Sequence, residues 1–147
     1  MAAAGQRETI RVGQIGITFV LDPSMSGGSV TMFELDVPSQ ARVPWPHSHD
    51  AYDETIYGRG GTMTWRVGGD TVRVGAGDVL FIPRGVVHHF LNDGPDANAL
   101  VVITPGLLGP EYFRDIAAVI SAGGPPDADA VAAVMRRHGL TPVVGTH

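Results

Sequence analysis

His47 and His49 stand two residues apart in PHSHDAYDETIYGRGG (residues 46–61), and Glu54 follows five residues after His49. In an extended strand, residues i and i+2 point to the same side, so the two imidazoles project together while Ser48 faces away. The DAYD segment turns the chain, and a strand opening at Glu54 can bring its carboxylate beside the pair. Two neutral imidazole nitrogens and a carboxylate are a natural set for a divalent transition metal. Asp53 precedes Glu54 and could replace it on spacing alone; Glu54 is the preferred ligand.

A third imidazole is available in GDVLFIPRGVVHHFLN (residues 77–92). Here one strand ends at Pro83, Arg84-Gly85 turns the chain, and residues 87–92 return as a second strand. His88 and Phe90 share one face of that strand, and His89 and Leu91 share the other. One of the two histidines enters the interior, and periodicity alone does not choose between them. Tyr57 reads as packing on an outer face. The glycines 58, 60, 61, 75 and 77 read as turn residues, with no phosphate loop among them. His138 and His147 read as solvent-exposed tail residues.

The elements that would position these groups are short strands. The segments 15–21, 29–37, 54–58, 62–67, 70–74, 78–82, 87–92 and 99–104 are rich in Val, Ile, Thr and aromatic residues. Turn-type breaks such as VGGD, GAGD and NDGPD separate them. About eight strands with close turns predict an antiparallel sandwich or barrel. After Pro105 the period changes. Residues 111–122 place Tyr112, Ile116, Val119 and Ile120 on one helical face, with Gly123-Gly124 to stop the helix. Residues 127–138 repeat the pattern, with an aspartate cap at the start and Arg136, Arg137 and His138 at the end.

Composition excludes several functions. All ten basic residues are arginines scattered along the chain, and the net charge is −5, so nucleic acid is not an expected partner. Without lysine there is no Schiff-base chemistry, and without cysteine there is no thiolate nucleophile or disulfide framework. The lack of cysteine fits a cytoplasmic protein. MAAAGQRETI does not read as a secretory signal, and no apolar run approaches the roughly 18 residues that would span a bilayer.

The two histidine segments together resemble the cupin superfamily. Its first motif, G-x5-H-x-H-x4-E-x6-G, is matched by His47, His49, Glu54 and Gly61, with Ala41 where the motif begins on glycine. Its second, G-x5-P-x-G-x2-H-x3-N, is matched by Gly77, Pro83, Gly85, His88 and Asn92. The resemblance runs from about Val30 to Gly106. It implies an all-β jelly-roll barrel with one metal near its centre, held by His47, His49, Glu54 and His88, and it selects His88 over His89. A single domain over residues 1–147 is expected, with the barrel at about 10–106 and a short helical tail at about 107–141.

Four such ligands suit Fe, Mn, Ni, Cu, Co or Zn and leave one or two open positions, as a catalytic site requires. Glu54 could then also serve as a base. Small single-domain cupins with this ligand set resemble quercetinase-type dioxygenases, so an O2-dependent dioxygenase on a small apolar or aromatic molecule is the leading expectation. A redox-neutral isomerase, lyase or cyclase and a non-enzymatic binding protein are the alternatives. Trp45, Phe33, Met63, Trp65 and Phe90 are candidate pocket walls, Trp45 foremost. The segment from Glu8 to Leu21 is apolar enough to add a strand to a partner's sheet, which predicts a homodimer.

Overall fold

The computed structural model describes residues 7–41, 45–120 and 126–143. The expected helix stop at Gly123-Gly124 and the terminal His147 lie outside them. Among the described residues eleven strands form: β1 (Thr9–Val12), β2 (Ile15–Leu21), β3 (Thr31–Val37), β4 (His47–His49), β5 (Asp53–Gly60), β6 (Thr62–Val67), β7 (Asp70–Gly75), β8 (Val79–Ile82), β9 (His88–Leu91), β10 (Ala97–Thr104) and β11 (Leu140–Pro142). A one-turn helix α1 (Pro23–Ser26) follows β2, and α2 (Pro110–Ile120) and α3 (Ala128–Arg137) precede β11.

The strands make two antiparallel sheets in a jelly roll. One has the order β1-β2-β3-β10-β5-β8 and the other β11-β4-β9-β6-β7. Among the described residues they remain two ladders facing each other. Inward residues alternate along each strand, as in β10, where Ala97, Ala99, Val101 and Ile103 are buried. These meet Ile56, Met63, Trp65, Val74 and Phe90 in one core.

The N-terminal segment is engaged within its own chain. Thr9 to Val12 pair with Thr18 to Ile15 in a hairpin, which places β1 at the edge of its own sheet. Its apolar residues are explained by that hairpin and by α2, which packs against β1.

Gly58 and Gly60 are not turn residues; they lie inside β5. A Cβ on Gly58 would stand 2.0 Å from the carbonyl oxygen of Gly75, so glycine there permits the close approach of the two sheets. Gly61 does turn the chain: its φ is +62°, and a Cβ would meet the Asp96 carbonyl oxygen at 2.4 Å. Where the first motif has its glycine, Ala41 closes a turn onto the Pro38 carbonyl, and the left-handed residue of that turn is Gln40 (φ 71°).

The helices close one end of the sandwich. Asp127 caps α3 by accepting from the amides of Asp129 and Ala130. Val131, Val134 and Met135 of α3, with Tyr112 and Ile116 of α2, turn their apolar faces inward. After α3, Gly139 takes a φ of +81°, and β11 then pairs antiparallel with β4, setting Leu140 opposite His49 and Pro142 opposite His47.

Candidate metal centre

Strand β4 is three residues long, yet its period of two sends His47 and His49 into the interior. Its neighbour β9 places His88 directly across from His47. The three rings cluster, with centroids 4.7 to 5.3 Å apart, and one nitrogen from each lies within 4.8 Å of the others. Glu54, at the start of β5 in the facing sheet, stands beside two of them. Its Oε1 is 3.5 Å from His49 Nε2 and 3.4 Å from His88 Nε2.

Backbone carbonyls orient two of the rings. His88 Nδ1 lies 2.9 Å from the Val86 carbonyl, and His47 Nδ1 lies 3.2 Å from that of Trp45. With those Nδ1–H groups donating, both Nε2 lone pairs face the cluster. His88 Nε2 is buried and makes no hydrogen bond among the described residues. It confronts a carboxylate oxygen at 3.4 Å away from water, so a cation between them, either a proton on that nitrogen or a metal ion, keeps two acceptors from facing each other. The donor set of three imidazoles and a carboxylate fits a divalent transition metal.

The electrostatics are consistent. Burial pushes His47 down to about 3 and His49 to about 4, with the positive neighbours contributing, so both rings are neutral at pH 7. Burial alone would raise Glu54, but the imidazoles of His88, His49 and His47 outweigh it and hold the carboxyl below its usual range. Burial likewise opposes protonation of His88, and Glu54 opposite its Nε2 more than offsets this and raises it.

The neighbouring residues sort by strand face. Asp53 points away from the cluster and holds the turn before β9: its carboxylate accepts from the Arg84 backbone amide at 2.9 Å and from two guanidinium nitrogens. His89 is on the outer side of β9, opposite Arg66 of β6. Asn92 is buried and ties the end of β9 to the Val37 and Pro95 carbonyls.

His47, His49 and Glu54 form part of the wall of a cavity of about 90 Å³. The sheets contribute Ile17, Phe33, Leu35 and Phe90, and the helical segment contributes Leu108, Tyr112, Phe113 and Met135. Phe33 and Phe90 are thus wall residues. Trp45 is not: it packs against the core and serves the site through its carbonyl. Met63 and Trp65 are buried in the core away from the cavity. From the sequence the helical tail, Pro110 to His138, could cover either the barrel mouth or an interface and so enclose a pocket; here it supplies one wall of the cavity, a choice its amphipathic pattern alone did not make. His138 is half-buried, not solvent-exposed: its Nε2 lies 2.9 Å from Asp115 Oδ2 and its ring meets Tyr112 edge-on.

Comparison with known proteins agrees with this geometry. The profile of the Cupin domain family matches residues 33–104. A 70-residue stretch, 48% of this chain, is 33% identical to quercetin 2,3-dioxygenase of Bacillus subtilis (strain 168), and the match covers 20% of that protein. A 77-residue stretch, 52% of the chain, is 34% identical to an uncharacterized protein of Streptomyces coelicolor, over 70% of its length. Among solved structures, the fold resembles an RmlC-like cupin from Shewanella frigidimarina with a TM-score of 0.60 at 17% identity, over 71% of this chain and 88% of that one. A Thermotoga maritima protein described as a predicted oxalate decarboxylase gives a TM-score of 0.60 at 25% identity, over 68% and 92%. No helix among the described residues is long and apolar enough to cross a membrane.

Proposed function

This chain belongs to the cupin superfamily, and on that premise we propose that it is a metal-dependent enzyme acting on a small apolar or aromatic molecule, with dioxygen as co-substrate. One observation carries the reading: two imidazoles and a carboxylate, backed by the third imidazole of His88, form one side of a cavity that is otherwise almost entirely carbon. His47, His49, His88 and Glu54 would hold the metal. When bound, it supplies Lewis acidity and open coordination positions for small molecules.

The chain's own residues do the rest. The Val86 and Trp45 carbonyls fix the ring orientations of His88 and His47. The apolar walls exclude water from a reactive intermediate. Glu54, held below the ordinary carboxylate range, is a weak proton acceptor, which favours its role as ligand over its role as base. The sequence likeness to part of quercetin 2,3-dioxygenase favours the oxygen-dependent reading over a redox-neutral isomerase, lyase or cyclase.

The reading extends to a cytoplasmic homodimer. Tyr57, Val79 and Phe81 stand exposed on neighbouring positions of β5 and the edge strand β8, a patch that a second copy would cover. Light scattering that gives a monomer at micromolar concentration would remove the dimer.

The test of the activity is an oxygen electrode with the metal-loaded protein and a panel of flavonols, diketones and catechol-like phenols. Turnover should consume oxygen and stop under anaerobic conditions. Undiminished anaerobic turnover would replace the dioxygenase with the redox-neutral enzyme.

A further inference from the structure

Apart from the metal-ligand candidates His47, His49 and Glu54, Tyr112 is the one described residue of the cavity wall whose side chain carries an N–H or O–H group. Tyr112 is the third residue of α2, with 6% of its surface exposed. Its ring is held edge-on by Phe113 at 5.0 Å and by His138 at 5.5 Å. His138 is itself anchored to Asp115, and its carbonyl accepts from Tyr52 at 3.0 Å. The ring is therefore fixed from two sides. Its hydroxyl makes no hydrogen bond among the described residues, in contrast to that of Tyr52. Burial, with the Glu54 carboxylate contributing, pushes the phenol well above the ordinary tyrosine range, so it remains protonated and can donate.

This donor has no acceptor among the described residues, so it is free to serve whatever oxygen enters the cavity, and a ligand carbonyl can take the place of water there. We propose that Tyr112 is a ligand-orienting residue, donating a hydrogen bond to a carbonyl-type oxygen on a compact, apolar-bodied molecule whose other end faces the histidine cluster. The size follows from the cavity. At about 90 Å³ it is smaller than the roughly 150 Å³ apolar cavity that accepts benzene. Benzene has six non-hydrogen atoms, so ligands of about four match this cavity, and a flavonol-sized molecule fits only if α2 moves. This inference deepens the proposed function and rests on the same cavity, but the hydrogen bond does not require the metal.

That independence sets the experiment. Acetone, with four heavy atoms and one carbonyl, is the probe, used with metal-loaded and chelator-treated protein. Binding is followed by calorimetry and by the infrared carbonyl stretch of the bound probe. Wild type should bind it in both forms, with the stretch in the chelator-treated protein lowered as a hydrogen-bonded carbonyl requires. Tyr112→Phe should keep its metal content, weaken binding about tenfold, and return the stretch to its value in hydrocarbon. Equal affinity and an unchanged stretch in Tyr112→Phe would overturn the proposal, and so would failure of wild type to bind the probe. The wild-type stretch decides the matter even where the variant folds poorly. If the protein takes up no metal yet the stretch still depends on Tyr112, the metal reading fails and this one stands.

Discussion

Tyr52 lies flat against His49, with ring centroids 4.6 Å apart and planes 29° from parallel. Its hydroxyl reaches past the ring to the His138 carbonyl, at the end of α3, so one fully buried residue joins a candidate ligand to the helical wall. A Cβ added at Gly139 would meet the same ring at 3.4 Å. Two substitutions separate the two jobs. Tyr52→Phe keeps the stacking and loses one hydrogen bond, which should cost about 1 kcal/mol and leave metal content unchanged. Tyr52→Ala removes the ring as well and should cost about 3–5 kcal/mol and weaken metal retention. Thermal unfolding and elemental analysis of both variants check this; full metal retention in a folded Tyr52→Ala would show that His49 needs no such support.

His88 and His89 are adjacent in sequence but on opposite faces of β9. Replacing His88 with glutamine should abolish stoichiometric metal, because it removes the buried Nε2 that faces Glu54. His89→Gln should retain about one metal per chain. The comparison is made by elemental analysis of protein purified without added metal. Loss in His89→Gln with retention in His88→Gln would reverse the assignment.

Acid should destabilise the metal-free protein. His47 and His49 titrate near 6.5 when unfolded but only near 3 and 4 when folded. Below pH 6.5 the unfolded chain takes up protons that the folded chain refuses, so stability falls as pH falls towards 4. The slope is at most about 1.4 kcal/mol per pH unit for each histidine. His88 behaves oppositely: its raised pKa contributes stability that is complete below 6.5 and is lost as pH rises through its folded value. It therefore does not cancel the loss on the acid side. Glu54, depressed in the folded state, adds to the loss below its unfolded value of 4.5. Thermal melts of chelated protein from pH 7 to 4.5 should show a falling midpoint, with a shallower fall in His47→Gln/His49→Gln. Equal slopes would mean that these rings are not the cause.

The longer elements were legible because their periods are physical. The alternation in residues 62–67 appears as β6 with the same bounds, and the two amphipathic segments after Pro105 appear as α2 and α3 within two residues at each end. The pairing of His47 with His49 followed from the same two-residue period. What stayed hidden depends on contacts between distant segments. The three-residue strand β11 carries no periodic signal of its own and exists because it pairs with β4. Tyr112 could be assigned to a buried helical face, but not to the cavity, until α2 was seen to dock on the sandwich. His138, with two arginines before it and a glycine after it, reads locally as a solvated helix end; only Asp115, 23 residues earlier, draws it in. Gly58 looked like turn punctuation because nothing near it in sequence records the approach of Gly75.

That approach yields the last prediction. Gly58 and Gly60 both lie in β5, on strand backbone that any residue could adopt, so backbone conformation does not explain either one. Space does. A methyl group on Gly58 would sit 2.0 Å from the Gly75 carbonyl oxygen and 2.8 Å from its carbon, while one on Gly60 would meet Asn98 Oδ1 at 3.4 Å. Gly58 also donates to the Asp78 carbonyl and accepts from Gly77, both at 2.9 Å, so the strand cannot move aside without breaking the turn that follows β7. Gly58→Ala should therefore cost about 3 kcal/mol or more, or prevent folding, since overpacking by one group at a rigid contact usually costs about 1–3 kcal/mol. Gly60→Ala should stay within about 1 kcal/mol of the parent, helped by alanine's lower loss of backbone entropy. Because β5 also carries Glu54, a partly folded Gly58→Ala should lose metal as well as stability, and Gly60→Ala should lose neither. Denaturant unfolding with elemental analysis measures both. Equal midpoints for the two variants would show that the two sheets can separate at this point, and that the glycine is not what lets them meet.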